Sequence, residues 1–269
     1  MRAQGTLIRV PLEDQGGTTM GVIAMDRRAY YAVKRLMDLA IAVPLLILAL
    51  PIMLAAALAI FIYSPGPILF IQERVGARRV TRGTATLWEP VRFRCFKFRT
   101  MKINADSAVH QAYIRALIDN NQQEMHAVQA RATEPRKRDC VPVTGSPEVP
   151  AQPRKLTNDA RIIRPGRLLR KLSIDELPQL INVLRGEMSM IGPRPAIPYE
   201  VEMYQPWHML RLQAQPGLTG LQQVTARCTA DFDQQVRLDI EYIRQQSIWL
   251  DLKIALKTPL AILFARGAY

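Results

Sequence analysis

Cysteine is scarce in this chain of 269 residues: only Cys95, Cys140 and Cys228 occur, far apart and odd in number. Without a C-x-x-C pair, neither a disulfide framework nor a cysteine zinc site is signalled, and the three thiols fit packing roles in a reducing compartment. Histidine is equally sparse. His110, His126 and His208 are too scattered to mark a histidine-metal cluster. There is no G-x-x-x-x-G-K and no G-x-G-x-x-G, so the common nucleotide-binding folds are not indicated. RNP-like, helix-turn-helix and KH signatures are missing too, which argues against a nucleic-acid partner. Acidic residues are in deficit, 23 against 36 Lys and Arg, for a formal net charge of +13. By charge alone the partners are anionic: nucleic acid, anionic lipid or phosphorylated substrates.

Polar side chains are absent altogether from Leu39 to Ile62, a run of 24 residues. As a straight helix it would span about 36 Å, against roughly 30 Å of hydrocarbon in a bilayer. It is not a signal peptide, because more than 30 residues containing Glu13, Asp14 and Asp26 precede it and no A-x-A site follows. A buried core helix is the alternative, but such helices rarely run so long without a polar face. Pro44 and Pro51 interrupt the run, each removing a backbone donor. Both flanks are basic: Arg27, Arg28, Lys34 and Arg35 before, then Arg74, Arg78, Arg79 and Arg82 after. Positive flanks stay on the cytoplasmic side. The expectation is a helix that enters the membrane, bends and re-emerges on the same face.

The rest divides as follows. Residues 1–29 read as a mobile tail, 30–63 as the membrane helix, and 64–269 as a cytosolic domain with an insertion at about 102–155. "PILFIQERVG" reads as a short strand. "TATLWEPVRFRCFKFRTM" alternates apolar and basic residues like a hairpin, with Glu89-Pro90 at its turn. Val109, Tyr113 and Leu117, with Ile114 and Ile118, are spaced for an amphipathic helix that continues through "DNNQQEMHAVQARA". Residues 132–155 contain five prolines and read as a surface loop. The last segment, "IWLDLKIALKTPLAILFA", suits either a helix in the membrane interface or a core helix docked on the domain.

"KLSIDELPQLINVL" places Asp175 and Glu176 side by side in a very basic chain. Ser173 followed by Glu176 fits a capping box, and acids in a first helical turn gain about 0.3–1 kcal/mol each from the macrodipole. A reaction centre is the other reading. Arg161, Arg164, Arg167, Arg170 and Lys171 crowd in before the pair, with Arg185 and Arg194 after it. A helix start attracts phosphate. An aspartate there would be held ionised and nucleophilic, arginines would neutralise an incoming phosphate, and a neighbouring glutamate could hold magnesium against it.

Several ordered motifs resemble the bacterial sugar transferases of the monotopic polyprenyl-phosphate phosphoglycosyltransferase family. They are "KRLMD" from Lys34, "SPGP" from Ser64, Gln72-x-Arg74-x-Gly76, "KFRTM" from Lys97, "SIDELPQLINVLRGEMSMIGPRP" and "PGLTGLQQVTAR". The resemblance runs from about Lys34 to the C-terminus. It implies an α+β, mostly helical fold: a re-entrant membrane helix, then a catalytic domain with a small β-hairpin and interfacial amphipathic helices. It implies an enzyme on the cytoplasmic face of a bacterial inner membrane that starts lipid-linked glycan or exopolysaccharide assembly. Asp175 matches the catalytic aspartate. It would take a phosphosugar from a nucleoside-diphosphate sugar, usually a UDP-sugar, and polyprenyl phosphate would accept it. Glu176 matches the Mg2+ ligand. Arg194 would hold phosphate or nucleotide. Lys97 and Arg99 lie in the basic strand, and Arg74 would help at the polyprenyl phosphate. Arg161 belongs to the basic approach, and Gln223 and Arg227 lie in the nucleotide segment. Membrane lipid is a partner, and a homodimer is allowed.

The sequence departs from the pattern in places. Leu50-Pro51 stands where Ser-Pro often marks the break of the membrane helix. Leu221 replaces a frequent Trp, and Thr225-Ala226 a frequent Asn-Gly. The chain reads as a short form of the family with an insertion. The competing function is a non-catalytic, membrane-anchored basic module for anionic lipid or nucleic acid. It would not need paired acids within the basic cluster.

Overall fold

A computed structural model describes residues 27–82, 85–103, 108–132, 159, 161–225 and 231–263. The chain begins there with α1, Arg28–Tyr63, which runs unbroken through Pro44 and Pro51. Its 36 residues span about 54 Å at the usual rise. One line of buried residues follows its whole length: Lys34, Asp38, Ala42, Ala49, Ala56 and Ile60. These recur every four or seven residues, as one helix face does. Leu36, Ile47, Leu48, Leu54, Leu58, Phe61 and Ile62 face outward and are more than half exposed. The middle of the buried line is alanine, and an outer face so apolar has no use for water.

The strand after "SPGP" is longer than the sequence suggests. β1 (Leu69–Arg82) and β2 (Ala85–Phe98) form an antiparallel ribbon. Glu89 and Pro90 are not its turn: they pair with Arg78 and Ala77 inside the ribbon. Each strand of a two-stranded ribbon keeps a free edge, where a proline is tolerated.

The expected long helix after the hairpin is two helices, α2 (Ala108–Ile118) and α3 (Gln122–Ala132). Asn120 turns left-handed at φ 50°, and Asn121 Oδ1 accepts from Glu124 N at 3.1 Å to start α3. Asn does both readily, since its side chain competes with helical bonding and caps the next turn. The pair closes on Tyr113, Ala116, Met125 and Val128. The proline-rich stretch beyond lies outside the described residues.

α4 (Arg164–Lys171) leads into a 3-10 segment, Ile174–Gln179, and then α5 (Leu180–Arg185), which Gly186 stops with φ 75°. Short strands β3 (Ser189–Ile191) and β4 (Gly217–Thr219) pair in parallel, an element with no clear sequence signal. A Cβ on Gly217 would lie 2.0 Å from Gly192 N, so only glycine permits the loops after β3 and before β4 to cross. Between them lie α6 (Pro198–Val201) and a 3-10 segment, Pro206–Leu212. α7 (Leu221–Thr225), α8 (Phe232–Gln245) and α9 (Ile248–Leu263) complete the domain. Its core gathers Phe93, Cys95, Leu180, Val183, Tyr242 and Ile254 around Ala42 of α1. Cys95 is thus a packing residue, as expected; Cys140 and Cys228 lie outside the described residues. The two readings of the final helix divide it by face. Asp251 and Ile254 are buried, whereas Trp249, Leu252, Leu256 and Leu260 are exposed.

Candidate active site

"KFRT" at the end of β2 is positioned from both sides. Asn182 of α5 is fully buried; its Oδ1 accepts from Phe96 N at 3.1 Å and its amide donates to Arg94 O at 2.6 Å. It satisfies the outer edge of β2 where a third strand would otherwise be needed. From the other side α4 presses on the strand end. A Cβ on Gly166 would sit 2.5 Å from Thr100 O, so the helix approaches the backbone directly. Arg170 of α4 then donates from Nε to Thr100 Oγ1 at 2.8 Å.

This sets Lys97 beside the acidic pair, with Nζ 2.9 Å from Glu176 Oε1. The expected capping box does not form. Ser173 is left-handed at φ 56° and makes no side-chain cap hydrogen bond, and Glu176 is drawn to Lys97. The helix start is also less of a phosphate site than expected. Only a 3-10 segment of six residues begins there, and a short segment aligns few peptide dipoles. The acids therefore depend on side chains for their electrostatics.

Asp175 shows this. Burial and the neighbouring Glu176 carboxylate push its pKa up to about 6, although Lys97 and Arg170 pull it down. The expectation of an aspartate held firmly ionised is corrected in degree. It is ionised at neutral pH, but it holds a proton more readily than an ordinary carboxylate.

The other expected site residues fall into distinct places. Arg74 is buried on β1 and donates to Pro195 O at 3.0 Å and Gln72 Oε1 at 2.7 Å, while its Nε is buried without a partner. It is tied to the Pro193–Arg194–Pro195 loop through Pro195 O and feels the charges of both Arg194 and Glu176. Arg194 is exposed on that otherwise buried loop. Arg99 ties down the end of α1, donating to Pro65 O at 3.1 Å and to Ser64 O. Arg161 forks onto Asp159 at 2.7–3.1 Å. Gln223 has a buried, unpartnered Oε1 on α7. Arg227 lies outside the described residues. The structure brings Asp175, Glu176 and Lys97 together, and Arg74, tied to the Arg194 loop, feels the charge of Glu176. It adds Arg170, which the sequence showed only as one of a basic run.

Among the described residues no cluster of three or more His, Cys, Asp or Glu could cage a metal. Mg2+ does not require one; it is commonly held by one or two carboxylates together with substrate phosphates. Two adjacent carboxylates, one with a raised pKa, are a donor set that a divalent cation would stabilise.

The bacterial sugar transferase family model matches residues 29–265. The chain belongs to the bacterial sugar transferase family. The sugar transferase is 34% identical to the exopolysaccharide production protein ExoY of Rhizobium meliloti, over 80% of the chain and 85% of that protein. It is 36% identical to the UDP-glucose:undecaprenyl-phosphate glucose-1-phosphate transferase of Caulobacter vibrioides, over 92% and 74%. It is 33% identical to the undecaprenyl-phosphate galactose phosphotransferase of Salmonella typhimurium, over 91% of the chain but only 43% of that relative. This membership does not favour the non-catalytic basic module. The match spans every described residue of the site.

Proposed function

We propose that the chain transfers a phosphosugar from a UDP-sugar to undecaprenyl phosphate and so starts lipid-linked glycan or exopolysaccharide assembly. The observation that carries this is the ionisable Asp175 beside the Lys97–Glu176 pair, with Arg170 acting on it and Arg74 acting on Glu176. A carboxylate Oδ of Asp175 attacks the sugar-bearing phosphorus. The phosphoanhydride bond to the nucleotide breaks and UMP leaves with the bonding electrons. A phosphate oxygen of the polyprenyl phosphate then attacks the same phosphorus and returns the Asp175 carboxylate. Lys97 and Arg170 offset the charge that builds on the phosphate during both displacements. Glu176 would hold Mg2+, which would supply charge neutralisation at the diphosphate of the donor.

The membrane supplies the second substrate. The exposed apolar face of α1 and the Trp249–Leu260 face of α9 support attachment. The buried line along α1 supports a helix whose two ends dock on one domain, hence a re-entrant helix on the cytoplasmic face of the inner membrane. The test is UMP release from a panel of UDP-sugars with undecaprenyl phosphate, with and without Mg2+. Magnesium-dependent release from at least one donor is expected. None from any donor, by folded protein, would return the reading to the non-catalytic module.

A further inference from the structure

The α2–α3 hairpin has no task in the proposed reaction. It is not a loose appendage. Leu117 and Ile118 join the cluster of Phe232, Trp207 and Leu210 against α8. α2 also leans on α6, which follows the Pro193–Arg194–Pro195 loop directly. The contact there is polar. His110 Nδ1 lies 2.5 Å from the Tyr199 hydroxyl, with the rings edge to face at 6.2 Å.

The charges around His110 come from three other elements: Arg74 on β1, Arg194 on the loop and Glu200 on α6, with Arg161 beyond. Burial and the three arginines hold the imidazole down to about 4, against the pull of Glu200. The ring is therefore neutral at working pH. Burial raises the Tyr199 phenol to about 12, so it keeps its proton and can donate to Nδ1. That leaves the imidazole proton on Nε2. Among the described residues Nε2 has no protein partner.

We propose that His110 is a donor-binding residue, its Nε2–H meeting an oxygen of the phosphosugar beside Arg74 and Arg194, with Tyr199 fixing the ring. This rests on the function proposed above. The α2–α3 hairpin then forms one wall of the donor site. The chemistry suits the place. The charges of Arg74 and Arg194 already act on the ring, and a third cation would be repelled by them until substrate arrives. A neutral N–H adds direction without adding charge, so it discriminates among donors by where their oxygens lie.

The test uses the full-length chain carrying Asp175→Asn, which is expected to hold donor without turnover. Affinities for UDP-glucose, UDP-galactose and UMP are measured with Mg2+ present for that protein and with His110→Phe, His110→Gln or Tyr199→Phe added. His110→Phe is expected to weaken at least one UDP-sugar about tenfold and UMP less than twofold. His110→Gln, which keeps an N–H, should recover most of the loss, and Tyr199→Phe should fall between. Side-chain nitrogen NMR supplies a readout that a packing role would not move. Bound donor should raise the His110 titration, because an anion now faces the ring. Unchanged UDP-sugar affinity in His110→Phe, or a His110 titration that bound donor leaves in place, overturns the inference alone. A folded parent protein that binds no UDP-sugar overturns the proposed function, and this inference falls with it.

Discussion

Asp175 and Glu176 are neighbours in sequence but are held by different forces. Glu176 is paired with Lys97, while Asp175 is left half-buried with a raised pKa. A raised carboxyl means that the native state resists ionisation more than the unfolded chain does. Stability from this group is therefore fully present below about pH 4 and declines as pH rises toward 6. Asp175→Asn, which mimics the protonated form, should raise Tm by a few degrees at pH 7 and leave it unchanged at pH 3.5. The same variant should abolish UMP release. A thermal scan at the two pH values, beside the assay, checks both halves. In metal-free protein, Glu176→Gln should move the Asp175 titration downward by removing a like charge. Lys97→Met should move it upward. Carboxyl carbon NMR reads the shift, and movement in the opposite sense would contradict the assigned causes.

At the scale of elements, the ribbon and α5 depend on one amide. Asn182 bonds to Phe96 N, Arg94 O and Glu187 Oε2, all in the interior or near it. Asn182→Ala strands these groups, at about 1–3 kcal/mol for an unsatisfied buried partner. It should lower stability by that amount and loosen Lys97 from Glu176, with turnover falling more than tenfold. Denaturant melts and steady-state rates check this; a stable variant with full activity would detach the strand edge from the site. The strand character and the basic run were legible in the sequence because alternation and charge are local. The pairing was not: the expected hairpin is a single strand, β2, paired with β1, since Glu89-Pro90 has turn chemistry and only pairing along a free edge overrides it. The break at Asn120 carried a signal in "DNN", which the apolar spacing on either side obscured. Nothing local could have shown that His110 meets Tyr199, 89 residues away. The acidic pair was visible, but its capping box failed because Lys97 arrives from a strand 79 residues distant.

For the whole molecule the issue is what fixes α1 to the domain. "KRLMD" reads as a set of three anchors. Lys34 Nζ pairs with Asp251 at 2.9 Å inside the protein, and Tyr242 joins both. Arg35 donates to the last carbonyls of α5, Val183 O and Leu184 O, at 2.6 and 2.8 Å. Asp38 accepts from Ser189 Oγ and Met190 N, both at 2.9 Å. Lys34→Met would leave the buried Asp251 without its cation, with only the Tyr30 and Tyr242 hydroxyls donating to it, a loss of about 3–5 kcal/mol. The far end of α1 is held as well: Ala56 and Ile60 pack with Phe98, Ile163 and Leu169, and Arg99 grips Ser64 and Pro65. A helix spanning the bilayer would put those ends on opposite faces, and one folded domain could not hold both. Single cysteines at Arg28 and Arg78, with Cys140 and Cys228 changed to serine and Cys95 buried, should therefore behave alike. In intact cells a membrane-impermeant maleimide should label neither, and after the inner membrane is opened it should label both. Labelling of one flank alone from the periplasm would mean that α1 spans the bilayer and that the docked arrangement is not the one in the membrane.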